Sequence, residues 1–143
     1  MYIVIVGAGR VGVSMAKWLM TLGHEVTVVE CDESKCVALD KEMGGISVVG
    51  DGTEVTVLAE AGTSRASIFF AATDRDEDNL VACQLAKHHF QVPRSVSLIS
   101  TADHERLFNM LGIDVTIETT GLIVDGTQRE MIQLIREEME EAG

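Results

Sequence analysis

One alternation runs along the whole chain and limits its folding choices most. Short β-branched runs are followed by longer segments with apolar residues every three to four positions. Tyr2–Val6 (YIVIV), Val26–Glu30 (VTVVE), Ile46–Val49, Ser67–Ala71 (SIFFA), Ser95–Ile99 and Asp114–Ile117 (DVTI) read as six strands. Arg10–Leu22, Glu33–Met43, Glu54–Ala61, a stretch from Asp74 to His89 and Asp103–Leu111 read as the helices between them, and the remainder to Ala142 is mostly helical. Gly23 and Gly44-Gly45 stop the first two helices. Asp32 is placed to cap the second and Thr53 the third, and Asp74 to Glu77 has the spacing of a capping box. A strand such as Tyr2–Val6 is apolar on both faces and needs cover on both. Right-handed helical crossovers supply it, which makes this an α/β chain with a doubly wound parallel six-stranded sheet and a C-terminal helix.

The segment after the first strand adds a ligand to that picture. Gly7-Ala8-Gly9-Arg10-Val11-Gly12 is G-x-G-x-x-G between a strand and a helix, the Rossmann-like arrangement. Gly7 permits the tight turn, Gly9 lets a pyrophosphate approach the backbone, and Gly12 lets helix and strand pack closely. The free N–H groups of Gly9 to Gly12 and the helix dipole then hold phosphates. Such a loop calls for an acid at the end of the second strand, roughly 20 residues further on. Glu30 stands there, able to accept from both hydroxyls of an adenosine ribose and unfavourable to a 2′-phosphate. Asp51 and Gly52 follow the third strand, where Asp51 either accepts from an adenine amino group or turns the chain into the next helix, or does both. Thr73 and Asp74 follow the fourth strand and either touch the distal half of the ligand or cap their helix. Asn79 is one helical turn on, and Arg10 is the base inside the loop that can reach across phosphates.

Charge narrows the partners. Eleven Lys+Arg stand against 23 Asp+Glu, a formal net charge of −12. That field repels nucleic acid and anionic membrane, so phosphates have to be held by local donors. Three cysteines, Cys31, Cys36 and Cys83, have no disulfide-framework or metal-ligand spacing, and together with a start directly on a strand they lead us to expect a reduced, cytoplasmic setting. An acid–base pair facing a cofactor is hard to find. His24, His88 and His89 fall at the lower edge of the sheet, and only His104 opens a helix on the ligand side. Cys31 adjoins Glu30, and nearby carboxylates raise a thiol and blunt it. An NAD-dependent oxidoreductase, or a piece of one, stands as the alternative to a non-enzymatic nucleotide-binding module. The final segment carries Met131, Ile132, Ile135 and Met139 at helical spacing, a stripe that either packs on its own sheet or meets a partner chain.

Taken together, IVIVGAGRVG, VVECDES, VVGDGTEVTVLAEAG, AATDRDEDNLVACQLAK and HERLFNMLGIDVTI resemble the nucleotide-binding domain of potassium-transport regulators, the Trk potassium-uptake regulatory subunit or RCK (KTN) N-terminal domain. The resemblance covers about residues 1–120 and sets residues 121–143 apart as a helical arm and dimer element. It implies a cytoplasmic regulator that binds NAD(H) or an adenine nucleotide (ATP/ADP). Such a regulator is peripheral to a membrane-embedded potassium transporter or channel subunit and forms a homodimer or larger ring. It carries ligand roles onto Gly7, Gly9, Arg10, Gly12, Glu30, Asp51, Thr73, Asp74 and Asn79, with Val11, Cys31 and Gly52 as their immediate neighbours in the site. Glu30 departs from the aspartate common in the family by one methylene. Such regulators often carry a second C-terminal domain, about whose ligands this sequence says nothing.

Overall fold

The structure, a computed structural model, describes residues 1–143. Its strands are β1 (Tyr2–Val6), β2 (Glu25–Glu30), β3 (Ser47–Val49), β4 (Ile68–Ala71), β5 (Arg94–Ile99) and β6 (Val115–Glu118). Its helices are α1 (Arg10–Thr21), α2 (Glu33–Met43), α3 (Val55–Glu60), α4 (Asp76–His88), α5 (Glu105–Met110) and α6 (Thr119–Ala142). The strands form one sheet in the order β3-β2-β1-β4-β5-β6, and every pair is parallel. The order reverses between β1 and β4, which leaves a crevice above their C-terminal ends.

Alternate residues of each strand serve opposite layers. Val4, Val6, Phe69 and Ala71 pack with Leu58 of α3, Ala82 and Cys83 of α4 and Phe108 of α5. Ile3, Ile5, Val28 and Phe70 pack with Ala16 of α1 and Leu39 of α2. Small residues where α1 and α4 meet the sheet let those helices lie close to it. The doubly wound architecture expected from the alternation is therefore the one observed.

Several element ends differ from the sequence pattern, each for a local reason. Thr53 does not cap α3, because its N–H and hydroxyl both donate to Asp51, and α3 begins only at Val55. The Asp74–Glu77 capping box does not form. Glu77 pairs with Arg75 instead, and Arg75, at the cap position, caps no backbone N–H with its side chain. β6 starts one residue late, since the Asp114 carboxylate turns back to accept from the Ser95 N–H at 2.8 Å. Asp32 does cap α2, accepting from the N–H groups of Ser34 and Lys35. α6 follows β6 without a break, its first turn held by Glu118 accepting from the Gly121 N–H at 2.6 Å.

Candidate functional site

A cavity of about 640 Å³ lies over the switch between β1 and β4. One wall is the loop Gly7, Gly9, Arg10 and Val11, and the near end is Glu30, Cys31, Asp32 and Lys35. The far wall is Ala72 to Asp76 with Asp78, closed by Leu98, Ile99, Ser100 and Thr119. A smaller hollow of about 60 Å³ shares Gly7, Glu30, Cys31 and Thr73 with it and is lined by Asp51 and Gly52. Asn79 and Gly12 line neither.

The loop needs glycine for two different reasons. Gly7 has φ +108°, and a side chain there would sit 2.9 Å from the Ala72 carbonyl oxygen. At Gly12 a Cβ would run into the Gly7 carbonyl, so α1 can lie this close to the loop only without one. A Cβ at Gly9, by contrast, would meet nothing within 4 Å. The first backbone bond of α1 runs from the Val13 N–H to the Gly9 carbonyl at 3.0 Å, and no side chain caps Gly9. The N–H groups from Gly9 to Gly12 are thus without intrahelical partners, and the bare Gly9 leaves room in front of them. Those are the requirements of a phosphate, and the donor set fits one.

Glu30 ties the near end together. It is only 8% exposed. Its carboxylate accepts from the Ala8 N–H at 2.8 Å, the Asp32 N–H at 2.8 Å and the Cys31 thiol at 3.4 Å. Burial pushes its pKa up, but the N–H donors of Asp32 and Ala8 outweigh that, and the net direction is down, so it is ionised at neutral pH. A carboxylate offers about four acceptor positions. Three are in use, so a ribose finds one free, or two if the Cys31 thiol turns away. The Cys31 thiol is raised by local burial and then by Glu30, as expected, and Cys83, fully buried, is pushed up to about 12. Neither is an activated thiol. Asp51 is lowered by the Thr53 N–H and hydroxyl, so the turn reading of Asp51 holds, and its place in the adjoining hollow leaves it beside the site.

The far wall differs from expectation at one residue. Asn79 is fully buried and its amide is committed. It accepts from the Thr73 N–H and hydroxyl and donates to the Thr73 and Leu98 carbonyls. It shapes the Thr73 turn and does not reach the cavity, whereas Thr73 and Asp74 do line it. Arg10 lines the cavity with no carboxylate in ion-pair range. The pattern missed Lys35 and Asp76. Lys35 sits in the first turn of α2 and lines the cavity. Asp76 is buried, accepts from the Ser100 N–H and hydroxyl, and lies 2.7 Å from His104 Nδ1. His104 is therefore a partner of Asp76 at the mouth of α5.

A parallel sheet in this order, with a bare glycine loop and a buried acid at its switch point, defines a Rossmann-like α/β domain. The chain belongs to the TrkA-N domain family, whose model matches residues 3–119. It is 40% identical over 117 residues to a Trk system potassium uptake protein TrkA homolog of Methanothermobacter thermautotrophicus, covering 82% of this chain and 54% of that protein. The chain thus spans about half the length of that relative. Among solved structures it resembles the TrkA-N domain of the inner membrane protein ybaL from Escherichia coli, with TM-score 0.80 and 17% identity over 93% of this chain and 95% of that one. It also resembles the GsuK channel bound to NAD, with TM-score 0.73 and 22% identity over 81% of this chain and 21% of that one. GsuK bound to ADP superposes with TM-score 0.73 and 23% identity, covering 85% and 31% of the two chains. No helix of the chain is long and apolar enough to cross a membrane.

Proposed function

We propose that this chain is the nucleotide-binding unit of a potassium transport system. It sits in the cytoplasm against a membrane-embedded transporter or channel subunit and changes conformation when NAD(H) or an adenine nucleotide (ATP/ADP) occupies the cavity. The observation that carries this reading is the unpaired first turn of α1 facing a cavity that bare Gly9 keeps open, with Glu30 at one end. The N–H groups of Gly9, Arg10, Val11 and Gly12, with the Arg10 guanidinium, hold the phosphates. Glu30 takes a ribose hydroxyl, Asp51 and Gly52 border the base, and Cys31 lies beside the ribose. Thr73 and Asp74 meet the distal half, and Asn79 acts through Thr73. Family membership and the potassium-uptake name of the relative support the transport role, and the NAD and ADP found with GsuK support the ligand class.

The unit acts as a sensor: His104, the one histidine on the ligand side, is held by Asp76 and is not among the residues that line the cavity. Ligand forms regulate only if they bind two conformations unequally. The arm at residues 121–143 serves as the contact between copies, giving a homodimer or larger ring. Calorimetry and thermal unfolding with NAD, NADH, NADP, ATP and ADP test the reading. A ligand at a hundredfold over its Kd stabilises by about 2.7 kcal/mol, which moves the midpoint by several degrees. We expect at least one of NAD, NADH, ATP and ADP to do so, and NADP, with its 2′-phosphate, to lag. No shift with any of the five would overturn the nucleotide role, and NADP as the tightest ligand would overturn the role of Glu30.

A further inference from the structure

Arg10, Lys35 and Arg75 bring positive charge to the cavity, and the three are not equivalent. Arg75 is spent on Glu77 and Asp78. Arg10 opens α1 beside the glycine loop, where the free N–H groups await phosphates. Lys35 lines the near end with Glu30, Cys31 and Asp32. Its side chain is exposed, pairs with no carboxylate and makes no hydrogen bond; only its backbone N–H is used, by Asp32. The ammonium nevertheless lies near both acids. Asp32 is held below its ordinary value first by the Ser34 hydroxyl and N–H and last by the charge of Lys35, and Glu30, beyond its burial and its N–H donors, feels that charge too. The near end therefore holds one uncommitted cation, which the glycine loop and Arg10 leave without a phosphate to meet.

Glu30 does not guard a whole ribose. Its carboxylate already accepts from the Ala8 N–H, the Asp32 N–H and the Cys31 thiol, so one acceptor position is left while that thiol stays in place. One ribose hydroxyl donates to it, and the other is left to the part of the near end that Lys35 lines. We propose that Lys35 forms an anion subsite at the ribose end of the cavity, so that the protein takes adenine nucleotides carrying a 2′-phosphate as well as plain ones, though less tightly. This rests on the nucleotide reading above. Glu30 repels such a phosphate, and in a chain of net charge −12 only a local donor can answer that repulsion. Lys35 offsets part of it, which leaves NADP behind NAD without excluding it. With NAD the same ammonium meets only a neutral hydroxyl that water serves as well, so Lys35 sets the ratio of the two affinities and not the affinity for NAD.

Calorimetry on the full chain with NAD and NADP, and with AMP and its 2′-phosphorylated form, tests this. In the wild type the 2′-phosphorylated member of each pair is expected to bind, more weakly than its plain partner. Lys35→Met should widen that gap by about fivefold, the upper range for an exposed ion pair, almost all of it as lost affinity for the phosphorylated ligand. Lys35→Arg keeps the charge and should keep the wild-type gap. Raising the salt should shrink the difference between wild type and Lys35→Met, because an exposed pair is screened, whereas a merely structural Lys35 would show no such dependence. A wild type that binds NAD but not NADP, or a gap that Lys35→Met leaves untouched, overturns the inference. So does an equal loss of both members of a pair, which would set Lys35 on the phosphates they share. If neither plain ligand binds the wild type, the nucleotide reading itself fails, and calorimetry shows that before any variant is made.

Discussion

At the glycine loop and its acid Glu30 the shape is held by contacts within the chain, whereas from Thr119 onward the apolar side chains find no such contacts. In the first region the carboxylate of Glu30 is spent on Ala8 and Asp32, Asp32 caps α2, and Gly12 lies against the Gly7 carbonyl. In α6 Leu122, Ile123, Met131, Ile132, Leu134, Ile135 and Met139 are exposed, the last at 70%. A folded monomer has little reason to display that many large apolar side chains on one helix. The contrast separates two uses of sequence. The loop is shaped by contacts inside the chain, so damage there is felt as lost folding and lost ligand. The apolar side chains of α6 contribute nothing to the core, so damage there should leave folding intact.

The sharpest way to break the comparison is at Gly12. In Gly12→Ala the new methyl meets a backbone oxygen, which cannot swing aside as a flexible side chain would. Either α1 lifts from the sheet or the loop moves into the cavity. We expect a loss of about 3 kcal/mol or more, the upper range for overpacking, from a stability of order 5–15 kcal/mol. Urea unfolding should show the midpoint fall, and nucleotide affinity should fall with it. Wild-type stability in this variant would mean that the close approach of α1 and the loop is not what Gly12 provides.

Glu30→Gln is next in size. Glu30 accepts at both oxygens, but glutamine presents one acceptor and one donor, so the N–H of Ala8 or Asp32 is left facing another N–H. We expect a cost of about 1–3 kcal/mol. The pH dependence gives a second readout. The folded carboxyl lies below its ordinary value of 4.5, so its stabilisation is complete above that value and is lost as pH falls through the lowered folded value. The stability gap between wild type and Glu30→Gln should therefore be constant at neutral pH and shrink on acidification below 4.5. A gap that instead widens in acid would sink the assignment of Glu30 as the ionised tie of the loop.

The same contrast explains what could be read from the sequence. The glycine loop, Glu30 and the Asp32 cap were legible because each is local: a motif, a strand end and a helix start. Asp76 was not. It looks like any acid in a first helical turn, and its partners Ser100 and His104 lie 24 and 28 residues away across the sheet. The Asp74–Glu77 spacing suggested a capping box, but Arg75 offered Glu77 a nearer charged partner. The family resemblance carries a ligand role onto Asn79. Only the fold shows that its amide is used up by Thr73 and Leu98. Lys35 went unseen because the motif specifies the acid of β2 and says nothing of the helix after it.

The smallest effect on folding is expected in α6, and it separates the two regions most cleanly. Ile132 and Ile135 lie one turn apart and are both about half exposed. Replacing both with aspartate adds two carboxylates to a helix whose end already carries Glu137, Glu138, Glu140 and Glu141. Surface changes of this kind stay within about 0.5 kcal/mol per site when nothing is packed on them. Unfolding of the isolated chain and its affinity for nucleotide should therefore match wild type. Mass by light scattering should not: a dimer or ring joined through this face has to fall to the monomer, because each aspartate would otherwise be buried without a partner. An unchanged mass would place the contact between copies elsewhere, on the exposed Trp18 and Leu22 of α1 and its C-terminal turn, for example. A large loss of stability would mean that α6 does pack on its own sheet, and the division between a self-contained loop and an outward-facing helix would then fall.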